Sequence, residues 1–289
     1  MDRSPLFEQY RSRLFGIAYR MLGSRADAED VLQEAYLRWH RASLEEIRSP
    51  EAWLVTATTR LCIDRLRLAR EAREVYVGPW LPEPLVSDVA PPADSQLDIA
   101  SSLSIAFLVV LERLAPEERA AFLLHEVFDT DYAEIAQVLG KSEAACRQIV
   151  SRARKRVREN RPRMQVSEEA RRALLDRFVD AVQTQDKEAL LALFAESATW
   201  TSDGGGKARA ARKVIRGREQ VVRFVLGVLS RHTDQFSFSP ITINNEAGLA
   251  MRAGGKLISA ISVRTDGVRI LDIFTVLNPD KLPQAARAP

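Results

Sequence analysis

Between Arg147 and Arg163 the sequence reads RQIVSRARKRVRENRPR, setting Arg147, Arg152, Arg154, Lys155, Arg156, Arg158, Arg161 and Arg163 against the single Glu159. Those residue types suit a polyanion. Arginine offers two parallel donors to guanine O6 and N7, a glutamine such as Gln148 can pair with adenine, and the remaining cations suit phosphate oxygens. A basic run is also the ordinary composition of a solvated helix face, so the elements around it decide its meaning. Asp131 to Leu139 has the pattern of a helix, and Gly140, Lys141 and Ser142 form a turn. Ser142 can then cap a second helix through its hydroxyl, with Glu143 placed favourably against the helix dipole. Two helices across so short a turn follow the grammar of a helix-turn-helix, whose second helix enters the major groove. Helical spacing gathers Cys146, Ile149, Val150, Ala153 and Val157 on its apolar side and Arg147, Gln148, Ser151, Arg152 and Lys155 on the other. These last five are the candidate DNA-binding residues.

No comparable case exists for catalysis. Asp203, Asp266 and Asp272 are scattered, and His232, the one histidine of the C-terminal part, reads as a surface residue at a helix end. DGGGK invites comparison with a phosphate loop, but Lys207 is followed by Ala208 where Ser or Thr is required, so a flexible strand-to-helix loop is expected. Cys62 and Cys146 stand in separate helical patterns without metal-ligand spacing and read as buried reduced thiols. No catalytic residue, metal or cofactor is therefore expected.

The elements that must position these residues form a multidomain chain of 289 residues. Residues 1–75 are expected to be a helical bundle. One stripe runs through Phe7, Leu14, Ala18, Met21 and Leu22, and a second through Ala28, Val31, Leu32, Ala35 and Trp39. Pro50 opens a third helix, whose stripe includes Trp53 as a core residue. Residues 76–102 are proline-rich and read as an extended linker. Residues 103–164 hold the second helical block: Leu103 to Leu114, Glu117 to Phe128, Tyr132 to Leu139, and the basic helix. Residues 165–289 read as α+β. An amphipathic helix carries Leu174, Leu175, Phe178 and Val182, a short helix runs from Leu190 to Phe194, and another from Val214 to Leu229. Strands come last, FSFSPITI, AGLAMRA, KLISAISVRT and RILDIFTVL, divided by the turn signals NNE, GG and DG. A net charge of +3 argues only weakly for nucleic acid, while no apolar run near the ~20 residues a bilayer requires and no secretory signal lead to the expectation of a cytoplasmic protein.

Three segments in order, DAEDVLQEAYLRWHR, SPEAWLVTATTRLCIDRLR and ERLAPEERAAFLLHEVFDTDYAEIAQVLGKSEAACRQIVSRARKRV, resemble region 2 and region 4 of extracytoplasmic-function sigma factors. WLPEP (Trp80, Leu81, Pro82, Glu83, Pro84), DGGGK (Asp203, Gly204, Gly205, Gly206, Lys207) and NPDKL (Asn278, Pro279, Asp280, Lys281, Leu282) resemble the subgroup with a SnoaL-like C-terminal extension. The resemblance implies two all-α sigma domains and a cone-shaped α+β domain. It also implies a non-enzymatic RNA polymerase subunit that recognises minus-35 and minus-10 promoter elements. In such proteins the DAED helix binds the clamp coiled coil of the polymerase β′ subunit, which places core contacts on Asp30, Gln33, Glu34 and Arg38, with the β subunit as a further partner. The minus-35 readers fall on the face that helical spacing selected independently. Thr59 and Arg60 stand where many members have an Arg-Asn pair, so base-contacting roles are not transferred to the third helix. WLPEP, DGGGK and NPDKL are expected to be interdomain regulatory residues, since Trp80 is too apolar to leave exposed on a semi-rigid linker. The resemblance further implies a free monomer regulated in cis without a separate anti-sigma protein, the NPDKL tail promoting activity and the bulk of the domain restraining it. A dimeric helix-turn-helix regulator and a SnoaL-type isomerase or hydrolase fused to a DNA-binding part are the competing readings.

Overall fold

The structure is a computed structural model that describes residues 4–43, 47–87, 104–159, 166–229 and 236–283, the side chains of 70–74 and 229 excepted. Described residues fall into two compact units, one ending at Val75 and resuming from Phe107 through the basic helix, the other holding Tyr76 to Ser87, Ser104 to Ala106 and everything from Val166.

The first unit is all helix. α1 (Ser4–Leu22), α2 (Arg25–Arg41) and α3 (Pro50–Glu74) form the N-terminal bundle. Ser24 caps α2 by accepting the Asp27 N–H at 3.2 Å. Ser49 caps α3 by accepting the Ala52 N–H at 3.3 Å, and Pro50 follows where a missing donor costs nothing. Both expected stripes are buried, and half-buried Trp53 packs against Trp39 with ring centroids 5.5 Å apart, as a core residue would. Each such large apolar side chain contributes roughly 1.5–3 kcal/mol on full burial. α4 (Ile105–Leu111), α5 (Pro116–Glu126), α6 (Tyr132–Leu139) and α7 (Glu143–Glu159) complete the unit. Cys62 and Cys146 are buried, as expected, and burial pushes both thiols up.

Polar bonds knit α5 and α6 to the bundle. Arg119, 2% exposed, donates to the Met21 carbonyl at 2.6 Å and pairs with Glu112 at 2.7 Å. Arg60 on α3 donates from Nε to the Val138 carbonyl at 2.9 Å and from Nη2 to that of Gln137 at 2.8 Å. The guanidinium thus satisfies two carbonyls left open at the C-terminal end of α6.

The second unit runs α8 (Glu168–Gln183), α9 (Lys187–Leu193), β2 (Phe194–Asp203), β3 (Ile215–Arg216), α10 (Arg218–Leu229), β4 (Phe236–Ile243), β5 (Glu246–Ala253), β6 (Lys256–Thr265) and β7 (Ile270–Val276). A further strand, β1 (Val86–Ser87), comes from the linker, and the sheet order is β1-β4-β5-β6-β7-β2-β3. β2 and β7 are parallel, and every other pair is antiparallel. Two hairpins close through two-residue loops, Asn244 and Asn245 (φ 51° and 67°) and Gly254 and Gly255 (φ 54° and 79°), as the NNE and GG signals predict. Leu174, Phe178, Leu190, Trp200, Val221 and Ile273 lie in the core between helices and sheet.

Two expectations are corrected. Strands do not come last: β2 precedes α10 and pairs with β7, some seventy residues later. Nor does the last helix begin at Val214. Ile215 and Arg216 pair with Trp200 and Thr199, and Gly217 (φ 90°) turns the chain by donating its N–H to the Ala198 carbonyl at 2.8 Å, so the helix starts at Arg218. His232 and linker residues 88–103 lie outside the described residues.

Candidate nucleic-acid interface and linker clasp

α6 and α7 form the expected helix-turn-helix. Asp131 caps α6 by accepting the Glu134 N–H at 2.7 Å, Gly140 ends it in the left-handed region (φ 63°), and Ser142 caps α7 by accepting the Ala145 N–H at 3.2 Å. Cys146, Ile149, Val150, Ala153 and Val157 are buried, whereas Arg147, Gln148, Ser151, Arg152 and Lys155 are all exposed. Arg147 reaches Glu143 at 2.7 Å and lies 5.1 Å from the Tyr132 ring centroid. The side chains of Gln148, Ser151, Arg152 and Lys155 make no hydrogen bond or ion pair among the described residues. The basic run divides in a way its text does not reveal. Arg154 pairs with Glu126, and Arg156 reaches Glu118 at 2.5 Å, so these two guanidinium groups fasten α7 to α5. On α2, Asp30, Gln33, Glu34 and Arg38 are exposed, opposite the buried stripe. Asp30 holds Arg65 at 2.7 Å, and Glu34 holds Arg38 at 2.7 Å.

The three C-terminal motifs meet around Asp203, at the end of β2 and fully buried. Its Oδ2 accepts the Leu81 N–H at 2.8 Å and the Lys281 ammonium at 2.7 Å, and its Oδ1 accepts the Tyr76 hydroxyl at 2.6 Å. Lys281 also donates to the Leu81 carbonyl at 2.6 Å and sits 4.2 Å from the Trp80 ring centroid, so one ammonium engages a carboxylate, a carbonyl and an aromatic face. Trp80 is half-buried, and Leu81, Pro82 and Pro84 are buried. Asn278 donates to the Tyr76 oxygen at 3.0 Å while its own Oδ1 caps the Asp280 N–H at 3.1 Å, which shapes the NPDKL turn. Lys207 closes the ring by pairing with Asp280.

The DGGGK loop is therefore anchored. Gly204 accepts the N–H groups of Lys207 and Ala208 at 3.0 and 2.9 Å. A Cβ on Gly205 would stand 2.3 Å from Asn278 Nδ2, so the close approach needs glycine. Pro279 is exposed, while Leu282 is 8% exposed. Beyond WLPEP the linker continues onto the sheet edge. Leu85 donates its N–H to Asn244 Oδ1 and accepts the Asn244 N–H, both at 3.0 Å, before Val86 pairs with Ile243. Sequence reasoning missed Tyr76 and Asn244: a lone tyrosine after a polar helix end and an asparagine in a hairpin carry no motif. Burial and the bond to Asp203 push the Tyr76 hydroxyl well above its ordinary range, keeping it a donor.

Comparison with known proteins agrees with this geometry. Family models match Sigma-70 region 2 over residues 6–72, Sigma-70 region 4 over 104–157 and a SnoaL-like domain over 175–276. The chain is 40% identical over 289 residues to the ECF RNA polymerase sigma factor SigJ of Mycobacterium tuberculosis, covering 95% of this chain and 91% of that one. It is 33% identical over 229 residues to the sigma factor SigG of the same species, covering 69% of this chain and 60% of that one. The crystal structure of Mycobacterium tuberculosis SigJ superposes with a TM-score of 0.76 and 37% identity, over 96% of this chain and 97% of that one. Similarity at that level along almost the whole length, joined to an exposed helix-turn-helix face and a SnoaL-like sheet, shows that the chain belongs to the non-enzymatic family of extracytoplasmic-function RNA polymerase sigma factors with a SnoaL-like C-terminal domain.

Proposed function

We propose that this sigma factor reads the minus-35 element with Arg147, Gln148, Ser151, Arg152 and Lys155, meets core polymerase through Asp30, Gln33, Glu34 and Arg38, and is regulated in cis by its SnoaL-like domain. One observation carries the regulatory part: the segment that covalently joins region 2 to region 4 belongs, from Tyr76 to Ser87, to the body of the C-terminal domain. A linker segment held from Tyr76 to Ser87 by buried polar groups and a sheet edge has few conformations, so the third domain has a covalent hold on the connection between the two DNA-reading parts, which here also bond directly through Arg60 and Arg119. The protein acts as a monomer when free, and the attached domain takes the place of a separate anti-sigma protein.

The test is transcription by purified bacterial core polymerase from a library of promoter fragments, with the full chain beside one truncated near residue 165. Initiation at discrete sites that changes in yield on truncation supports both parts. Discrete initiation with unchanged yield removes the regulatory part. Binding of duplex sites alone, with core transcription unaffected, removes the promoter-reading part in favour of a conventional regulator.

A further inference from the structure

On the exposed face of α7, Arg147 differs from the cations that follow it. Its guanidinium carbon stands 5.1 Å from the centroid of the Tyr132 ring, and its Nη2 donates to the Glu143 carboxylate at 2.7 Å. The ring contact crosses the turn, from the opening residue of α6 to the recognition helix, while the carboxylate contact spans one turn of α7 itself. Arg152 and Lys155, farther along the same face, make no hydrogen bond or ion pair among the described residues. A cation within about 6 Å of a ring centroid is attracted by the negative face of the ring. Tyr132 is itself held. Asp131 caps α6 immediately before it, and the His125 ring lies 4.3 Å away between centroids at an interplanar angle of 33°. His125 Nδ1 meets the Thr130 carbonyl at 3.2 Å, a bond that needs the proton on that nitrogen and fixes the imidazole at the end of α5. The tyrosine hydroxyl makes no hydrogen bond among the described residues, so its ring is the part that Arg147 meets.

We propose that Tyr132 is a positioning residue for promoter recognition, its ring holding the Arg147 guanidinium, with Glu143 at one edge, in the orientation that reads guanine. This rests on the minus-35 reading above. An arginine ordered only on meeting DNA gives up its rotamer freedom at that moment, whereas one already seated on a ring has less to lose. The seat leaves the reading chemistry open. Glu143 takes a single N–H of the guanidinium fork, and guanine O6 and N7 require two of those that remain. Stacking on a ring also suits the flat guanidinium in a way that it would not suit a lysine ammonium at the same position. The consequence is local: a base pair facing Arg147 is read through both helices of the motif, while those facing Gln148 and Ser151 are read from α7 alone.

The test is base preference, position by position, of holoenzyme assembled from core polymerase and the full chain on promoters with a randomised minus-35 element. Arg147→Ala sets the reference by relaxing preference at one position. Tyr132→Leu should relax that same position about twofold to fivefold, with the salt slope and the binding of sequences lacking the preferred base unchanged. Tyr132→Phe, which keeps the ring and drops the hydroxyl, should retain the parental preference. Tyr132→Leu added to Arg147→Ala should change nothing further, because the ring acts only through the guanidinium. Circular dichroism melting establishes that each variant is folded, and Tyr132→Met, of similar bulk without a ring, repeats the measurement if the leucine variant is not. Parental preference in the folded ringless variant, a loss in Tyr132→Phe equal to that in Tyr132→Leu, or uniform weakening of all sequences would overturn the positioning role and leave Arg147 as a reader. Unchanged preference in Arg147→Ala would remove the reader and the positioning role together.

Discussion

Lys281 and Asp203 are the pair on which the linker clasp turns, because the carboxylate is fully buried and the ammonium side chain is 11% exposed. Removing one partner of a buried ion pair leaves the other charged and unmatched, which costs about 3–5 kcal/mol. Lys281→Met should therefore lower the stability of the second unit by about that much in denaturant unfolding. Tyr76→Phe removes one neutral donor and should cost only about 1–2 kcal/mol. Equal losses from the two substitutions would contradict this account of the clasp. At this scale the motif residues were legible but their bonds were not. WLPEP, DGGGK and NPDKL announce themselves in the sequence, yet nothing in it shows that Asp203 takes the Leu81 amide, or that Tyr76 and Asn244 complete the grip. Those contacts join residues 122 to 159 positions apart, beyond the reach of local pattern.

Helix α7 shows how an element sorts like side chains into different work. Its exposed face carries Arg147, Gln148, Ser151, Arg152 and Lys155, while Arg154 and Arg156 bind carboxylates of α5. Arg152→Ala should cost about 1–3 kcal/mol of promoter binding and relax preference at one position. Lys155→Ala should weaken all sequences alike and reduce the salt slope by about one. Arg154→Ala should leave sequence preference intact, as read by binding to a randomised minus-35 library. Helical period made the face legible, but eight basic residues could not be divided between DNA and α5 without knowing where Glu118 and Glu126 lie.

At the start of β5, burial pushes the Glu246 carboxyl from 4.5 to about 7; Arg171 on α8 opposes the shift and Glu168 adds to it. The folded state then holds a proton that the unfolded chain releases, so stability falls as pH rises from about 4.5 to about 7 and is level above that. Glu246→Gln should flatten the slope, a difference on the order of 1–3 kcal/mol between pH 4.5 and 7.5. An unchanged profile in chemical denaturation would count against the buried carboxyl.

For the whole molecule, the fold class and the order of the parts were readable because turns, caps and apolar stripes are local. β1 and β2 were not. β1 is two residues of a proline-rich segment that become a strand only because β4 offers an open edge, and β2 is fixed by a parallel partner far along the chain. The linker is consequently no passive tether. Its described part, Tyr76 to Ser87, is built into the C-terminal domain, and the proposed regulation in cis would act through that attachment. The most direct test keeps the chain at full length and breaks only the clasp. Transcription from a fixed promoter by core polymerase would be compared for the parent and Lys281→Met, with hydrogen exchange at the Leu81 amide read in parallel. The account predicts that exchange at Leu81 accelerates and transcript yield changes severalfold at unchanged start sites. Accelerated exchange with an unaltered yield would contradict regulation through the linker.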